Sequence, residues 1–172
     1  ESSTMSPTYP RHFLKEKDAT RILQELSQRF KVDVQQLFGT EPKIESVETQ
    51  TAKFLFINGK PTIAVLNTSL LPLLSSNKVL DCLQKIVVNM GAVSHICNGA
   101  DVMAPGVVQI QGDFDKNDLV LVVDERYGKP LAIGVALTDS QTMRSLKQGK
   151  ILENVHYVGD KLWNQLKAFS HS

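Results

Sequence analysis

The spacing of apolar residues predicts that the chain begins with helices. Between Asp18 and Phe30 the apolar residues recur at helical intervals, as Ala19, Ile22, Leu23, Leu26 and Phe30. This single stripe predicts an amphipathic helix, with Asp18 as its N-cap. A shorter helix is predicted over residues 34–38. It should end at Gly39, because glycine readily adopts the left-handed conformation that closes helices.

Two apolar runs then predict a β-hairpin. They cover residues 53–57 and 61–65, and Asn58-Gly59 stands between them. Both central positions of a type I′ turn need positive φ, which Asn-Gly provides. Looser alternation over 43–49 predicts a third strand, and the apolar segment 69–75 predicts a short helix packed on this sheet. Residues 1–75 are therefore predicted to form a small α/β domain.

After a polar break at Ser75-Ser76-Asn77 the chain is rich in short strands and turns. Strands are predicted over 85–89, 107–111, 119–124, 131–137 and 155–158, with a turn at Met90-Gly91 and a hairpin turn within 124–129. Thr138 to Gln141 matches a capping box, which predicts a helix to about Gln148 that stops at Gly149. We therefore expect a small β-barrel over residues 77–165. The fold class is α+β.

Composition narrows the functional classes. The 172 residues leave room for one or two small domains. The net charge of only +1 is lower than that of strongly basic nucleic-acid binders, and it leaves a local basic patch open. The opening residues are polar and Met5 resembles a natural start, so we expect no leader and a cytoplasmic protein. The longest uncharged stretch, 61–77, carries prolines and polar residues and does not resemble a membrane span.

Phosphate-loop and calcium-loop motifs are incomplete. Three Gly-Lys pairs, at 59–60, 128–129 and 149–150, lack the upstream glycine and the following Ser or Thr of a P-loop. Asp113-x-Asp115-x-Asn117 resembles the start of a calcium loop, but Asp118 replaces the required glycine. We interpret this segment as a solvated acidic turn.

The cysteines and histidines give no stronger catalytic signal. Cys82 and Cys97 lack the paired spacing of a zinc site, and we predict two buried free thiols. His95 and Cys97 would share one face of a predicted strand, but no third group that could orient them is evident. The sequence therefore predicts no enzyme activity, no metal and no cofactor.

The most informative stretch runs from Gly91 to Gly106 and is dense in small residues. Gly99 and Ala100 would allow a backbone or a ligand to approach closely. Accessible backbone N–H groups in such a segment suit a phosphate backbone or an RNA end. Close packing within the protein would require the same small residues, and composition alone leaves the two alternatives open.

Within this stretch, Gly99-Ala100-Asp101-Val102-Met103-Ala104-Pro105-Gly106 resembles the signature of PUA domains, which are RNA-binding modules. In that family the signature corresponds to the first helix and the following loop. The tail, Lys147-Gln148-Gly149-Lys150 and residues 153–163, looks like the C-terminus of the malignant-T-cell-amplified-sequence family, which is related to the N-terminal half of ligatin. The compact chain is more similar to archaeal members of that family than to eukaryotic ones.

The resemblance implies an N-terminal α/β domain, a PUA pseudobarrel and RNA binding without catalysis. It implies action on tRNA or on small-ribosomal-subunit RNA, together with a protein partner that carries an initiation-factor-one-like domain. By position, one wall of the RNA cleft would be formed by Gly99, Ala100, Met103, Pro105 and Gly106. The other wall would be formed by His156, Tyr157 and Lys161.

Charge adds Lys85 and Arg126 as candidate RNA contacts, and Trp163 is interpreted as a packing anchor rather than a base-stacking surface. We expect a monomer that binds RNA with modest affinity. Two other functions remain open at this point. One is an accessory subunit of a tRNA-modifying enzyme, such as a transglycosylase or a pseudouridine synthase. The other is a module that binds only proteins.

Overall fold

The N-terminal half is an antiparallel sheet with two helices before its second strand. The computed structural model describes residues 9–170. The strands, which lie in sequence order across the sheet, are β1 (His12–Phe13), β2 (Ile44–Glu48), β3 (Lys53–Ile57), β4 (Lys60–Leu66) and β5 (Ser69–Pro72). The helices are α1 (Glu16–Phe30) and α2 (Val34–Phe38). The predicted strand at 43–49 is thus confirmed as β2.

The β3–β4 hairpin and the end of α2 are confirmed. Asn58 and Gly59 have φ of 52° and 84°, as the predicted turn requires. The N–H of Gly39 closes α2 by donating to the carbonyl of Gln35. The predicted N-cap of α1 is wrong, because the helix begins at Glu16 after Lys15. Asp18 instead lies in the first turn, where a carboxylate interacts favourably with the helix dipole.

The predicted helix over 69–75 is also wrong. Residues Ser69–Pro72 form β5, which pairs with β4 through a tight turn in which Asn67 has φ of 50°. Leu70 and Leu71 are both buried, so both faces of this strand are covered. A strand covered on both faces shows no alternation of apolar and polar residues, and periodicity alone cannot distinguish it from a helix.

The C-terminal half is a curled six-stranded sheet, a pseudobarrel, with strand order β7-β11-β10-β9-β6-β8. Its strands are β6 (Lys85–Val88), β7 (Val102–Met103), β8 (Val107–Gln111), β9 (Leu119–Asp124), β10 (Pro130–Ala136) and β11 (Lys150–Tyr157). Its helices are α3 (Asn77–Leu80), α4 (Met90–Ile96), α5 (Ser140–Ser145) and α6 (Lys161–Ser170). β6 and β9 run parallel, whereas β9 and β10 form the predicted antiparallel hairpin.

Several predicted boundaries in this half need correction. Met90 and Gly91 do not form a turn; they begin α4, which Asn89 caps by accepting a hydrogen bond from the Ala92 N–H at 3.0 Å. Helix α5 ends at Ser145 rather than near Gln148, and Asp139 rather than Thr138 is its N-cap. The helix ends early because the chain is already extended at its C-cap, Leu146. Strand β11 begins at Lys150, five residues before the predicted strand at 155–158.

Helix α6 was not predicted from the sequence. This helix leaves the pseudobarrel and returns to the N-terminal sheet. The ring of Phe169 lies edge-on to Phe54 and Phe56, with centroid distances of 5.1 and 5.2 Å. Because β3 carries both phenylalanines, the last described helix covers a sheet formed before residue 73.

Alternate residues of the PUA-like strands enter two different apolar cores. Ile86 and Val88 of β6 lie in a core enclosed by the curled sheet, with Ile96 of α4 and Met143 of α5. The residue between them, Val87, belongs to a core that also contains Leu26 and Phe54 of the N-terminal half. The two halves therefore share one apolar core.

The structure corrects the predictions about the two cysteines and His95. Cys82 is exposed and Cys97 is half-buried, so the expectation of two buried thiols is wrong. His95 lies in α4 and Cys97 is its C-cap residue, so they do not share a strand. Within residues 9–170 no group of three or more potential metal ligands is found, and no helix there is long and apolar enough to cross a membrane.

The acidic turn between β8 and β9 is paired with cations. Lys31, just after α1, has its Nζ 3.3 Å from an oxygen of Asp118 and 3.6 Å from one of Asp115. Arg144 of α5 lies 3.3 Å from Asp113. The two contacts of Lys31 join the N-terminal half to the pseudobarrel, so ion pairs at this turn help to hold the two halves together.

Candidate nucleic-acid interface

The loop after α4 lies against the end of β11. Gly99 has φ of 96°, a conformation that L side chains rarely adopt. A Cβ at this position would lie 3.1 Å from the Tyr157 hydroxyl oxygen and 3.2 Å from the ring carbon that carries it. The backbone conformation thus strongly favours glycine, and the close approach of the Tyr157 ring adds to this preference. The structure brings these two predicted site residues together.

Asn154 of β11 holds this loop in place. Its amide Nδ2 donates to the carbonyls of Ile96 and Ala100, both at 3.0 Å. Its backbone N–H donates to the Asp101 carboxylate at 2.8 Å. Sequence reasoning missed Asn154 and Asp101 as site residues, because these bonds form only when residues 53 or more positions apart are brought together.

An ion pair fixes the other end of the loop. Lys150 Nζ lies 2.8 Å from an Asp101 carboxylate oxygen. The hydrogen bond from Lys150, followed by that from the Asn154 N–H, holds the pKa of Asp101 below its usual value. The same bond to Asp101 raises the pKa of Lys150. Both groups are thus charged at neutral pH, and the charge of Lys150 is matched within the protein.

The rest of the signature segment is not helical. The helix precedes it as α4, and Gly99–Gly106 itself comprises a loop, β7 and a 3-10 turn, which corrects the expected helix-and-loop assignment. Met103 pairs with Lys150, and the N–H of Ala104 donates to the carbonyl of Gly149 at 2.8 Å. Met103 and Pro105 are exposed, whereas Gly106 packs closely against Ala92, and a Cβ added to it would lie 3.3 Å from the Ala92 Cβ.

The β9–β10 turn presents cations at the same end of the pseudobarrel. Tyr157 pairs with Ala132 near the start of β10, and the turn directly precedes that strand. The Asp124 carboxylate accepts hydrogen bonds from the backbone N–H groups of Tyr127, Arg126 and Lys129, and these bonds, led by that of Tyr127, lower its pKa. The rigid turn leaves the side chains of Arg126, Tyr127 and Lys129 exposed.

Lys85 lies away from this end. β6 runs parallel to β9, with Lys85 opposite Leu121 and Val88 opposite Asp124. Three strand residues span about 10 Å, so Lys85 and the turn that follows Asp124 stand at opposite ends of the sheet. The structure does not bring Lys85 together with Arg126.

His156 differs from the other residues of the predicted cleft because it is completely buried, with 0% exposure. Its Nε2 accepts a hydrogen bond from the Leu74 N–H, and its Nδ1 lies 2.8 Å from an oxygen of Asp160. Burial alone would raise the pKa of Asp160, but the hydrogen bonds from His156 and from the Trp163 N–H outweigh it and lower that pKa. The imidazole joins the two halves and offers no surface to a ligand.

Lys161 and Trp163 follow at the start of α6. Lys161 is exposed, close in sequence to the half-buried Tyr157. Trp163 is half-buried and packs against the shared apolar core, as the packing interpretation predicts. Of the predicted site, the parts with accessible surface are therefore the Gly99 loop, the β9–β10 turn and the segment from Tyr157 to Lys161.

Two domain families match this chain. The PUA domain matches residues 84–158, and the domain of unknown function DUF1947 matches residues 10–76. An uncharacterised protein, MJ1432 of Methanocaldococcus jannaschii, is 35% identical over 155 residues, which cover 90% of this chain and 95% of that protein. Translation machinery-associated protein 20 of Schizosaccharomyces pombe is 34% identical over 94 residues, about half of each chain.

The solved structures include a close match over nearly the whole chain. The crystal structure of the hypothetical protein PH0734.1 from Pyrococcus horikoshii OT3 is 33% identical, with a TM-score of 0.78, and the match covers 91% of this chain and 99% of that one. This match and that to MJ1432 extend across both the sheet and the pseudobarrel. The chain therefore belongs to the family of PUA-domain proteins in which an N-terminal DUF1947 domain precedes the PUA domain.

Proposed function

We propose that this protein is a non-enzymatic, translation-associated RNA-binding protein. It holds tRNA or small-ribosomal-subunit RNA in the PUA cleft, on the surface where the Gly99 loop packs on the end of β11. The observation that carries this proposal is the packing of Gly99 on Tyr157, which leaves a surface of small residues beside exposed cations. Residues 1–75 and 77–165 act as its two domains in this proposal.

The chemistry of the cleft suits an RNA end. Small residues such as Gly99 and Ala100 allow a sugar–phosphate backbone to approach peptide N–H groups. Arg126 and Lys161 supply positive charge for phosphates. The ring of Tyr127 is 68% exposed and can stack on an unpaired base, which is how proteins commonly contact single-stranded RNA.

The association with translation is supported by the similarity to translation machinery-associated protein 20. A net charge of +1 limits the affinity that electrostatics can supply. We therefore propose that the ribosome, or a partner with an initiation-factor-one-like domain, provides the remaining affinity. We also propose that the protein binds as a monomer in the cytoplasm. The similarity to MJ1432 supports an archaeal source.

Titration of the protein with a CCA-ended tRNA, at about 50 to 200 mM salt, tests the proposal. We expect binding that weakens with salt, is lost in Gly99→Glu and is reduced in Arg126→Glu. Lys85→Glu is the matched control, because it makes the same charge reversal at the other end of the sheet. Absence of binding by the unmodified protein even at the lowest salt would overturn the proposal. Stable co-purification with a transglycosylase or pseudouridine synthase would instead indicate an accessory role in tRNA modification.

A further inference from the structure

A hollow of about 300 Å³ lies between the β3–β4 turn of the N-terminal sheet and the segment that links the two halves. Lys60, just after the turn, and Lys78 of α3 both line it. Ligand sites in proteins typically measure roughly 300 to 1,000 Å³, so the hollow can accommodate a fragment of nucleotide size. It lies outside the PUA cleft and belongs mainly to the DUF1947 domain.

The positive charge of this hollow is not balanced. Lys60 and Lys78 are exposed, and neither ammonium group makes an ion pair with another residue in the described part of the chain. Among the described residues that line the hollow, none is acidic. The hollow beside the acidic turn differs, because Lys31 there faces Asp118. Unmatched cations around a concave surface attract anions.

The other walls suit an unpaired nucleotide rather than a simple anion. Phe38 and Pro61 provide an apolar and aromatic lining, and Ser75 and Asn77 add hydroxyl and amide groups. Cations beside an aromatic ring are the combination with which proteins bind single-stranded RNA, phosphates on the cations and bases on the ring.

This wall is held rigidly. The Asn58 side chain donates to the carbonyl of Phe38 at 3.0 Å and accepts from the N–H of Lys43 at 3.1 Å. These bonds tie the β3–β4 turn to the end of α2 before any ligand arrives. A site that is already formed loses little conformational entropy when it binds.

A buried hydrogen bond links the wall of the hollow to the strand that carries the PUA cleft. The Leu74 N–H donates to His156, the residue before Tyr157 of the cleft. Ser75, which lines the hollow, follows Leu74 directly, and consecutive Cα atoms are about 3.8 Å apart. The hollow is therefore connected, through Leu74, to the strand that carries Tyr157.

We propose that this hollow is a second contact for the same RNA strand, with Lys60 and Lys78 binding phosphate and Phe38 contacting an unpaired base. The inference rests on the proposed RNA-binding function and assigns to the DUF1947 domain a direct part in it. The PUA cleft binds the end of the strand, and the hollow binds the nucleotides that continue from it.

The test uses the full chain and two probes, a CCA-ended tRNA and a CCA trinucleotide. For the double variant Lys60→Glu/Lys78→Glu we expect at least a tenfold loss of tRNA affinity. Its salt slope should fall by about one to two, one for each lost phosphate contact. Trinucleotide affinity should not change, because that probe fills only the PUA cleft. The charge-matched control is Lys17→Glu/Lys53→Glu, in which Lys53 stands at the opposite end of β3 from the turn.

The outcomes separate the two proposals. If the unmodified protein binds tRNA but the Lys60/Lys78 variant matches the control in affinity and salt slope, the second contact is wrong and the PUA cleft stands. If the unmodified protein binds neither probe, the proposed function fails as well. Thermal unfolding of each variant shows whether it is folded, and Lys60→Gln/Lys78→Gln, which only neutralises the charges, replaces any variant that is not.

Discussion

The imidazole of His156 accepts a hydrogen bond from the backbone N–H of Leu74 at 3.1 Å, across 82 positions of sequence. Because Nε2 is the acceptor, the proton lies on Nδ1, which faces Asp160 at 2.8 Å. A residue that the sequence places at the RNA cleft thus joins the two domains instead. Strand β11 is attached to the N-terminal domain at this buried bond.

Replacing His156 with alanine should lower the stability of the whole protein. The buried Leu74 N–H would lose its partner, which costs about 1–3 kcal/mol in the free energy of unfolding. Urea unfolding followed by circular dichroism measures this loss. Lys161→Ala, an exposed change in the same segment, should leave the unfolding midpoint unaltered. A His156→Ala midpoint equal to that of the unmodified protein would show that the bond contributes nothing.

Acid should weaken the interface through Asp160. Its folded-state pKa is lowered by the hydrogen bonds from His156 and Trp163 despite its burial. A lowered folded pKa means that the ionised carboxylate stabilises the protein above the unfolded value of about 3.9. That stabilisation is lost as the pH falls through the folded pKa.

We therefore expect Asp160→Asn to be less stable than the unmodified protein at pH 7 and the difference to shrink below about pH 4. Unfolding free energies measured across this range check the sign. Glu48→Gln, an exposed change, is the control. A difference that stays constant with pH would contradict the assigned role of the carboxylate.

Gly99→Ala should destabilise more than Gly128→Ala. Both glycines have positive φ, of 96° and 64°, so both changes strain the backbone. Only at Gly99 does the added methyl group meet another side chain, that of Tyr157, and such overpacking costs about 1–3 kcal/mol more. Thermal unfolding measures the difference, which should disappear when Tyr157 is also replaced by alanine. If Gly99→Ala and Gly128→Ala destabilise the protein equally while Tyr157 is present, the aromatic contact does not constrain this position.

The ion pair between Lys31 and Asp118 should contribute weakly and in a salt-dependent way. Both side chains retain exposed surface, at 63% and 26%, and exposed pairs typically contribute less than about 1 kcal/mol. A double-mutant cycle with Lys31→Ala and Asp118→Ala measures the coupling free energy. This coupling should decrease as the salt concentration is raised to about 0.5 M. Coupling that persists at high salt would indicate a contact more shielded from solvent than this geometry.

Local chemistry predicted the elements whose signals lie within a few residues. Asn58-Gly59 identified the β3–β4 hairpin because the turn geometry depends on those two residues alone. The segment that forms β5 was mistaken for a helix because both of its faces are buried. Helix α6 carried a readable signal, since Leu162 and Leu166 are four residues apart and buried on one face, but the tail was interpreted only through its family resemblance.

The candidate site was predictable in part for the same reason. Gly99 and Tyr157 were identified from the PUA signature and the tail, and they meet in the structure. The bonds of Asn154 to the loop depend on which strands become neighbours, and no local sequence pattern predicts them. The burial of His156 likewise depends on the docking of a distant segment, so the spacing of residues in the sequence does not predict this burial.

The return of α6 to the N-terminal sheet has a consequence for how the protein unfolds. Phe54 and Phe56 have their edge-on aromatic partner, Phe169, more than 110 positions further along the chain. The PUA domain lies between these two parts of the sequence, so neither domain can open without disturbing the contacts of the other. We expect a single cooperative transition, with amide protons of β3 and β9 exchanging at the same global free energy.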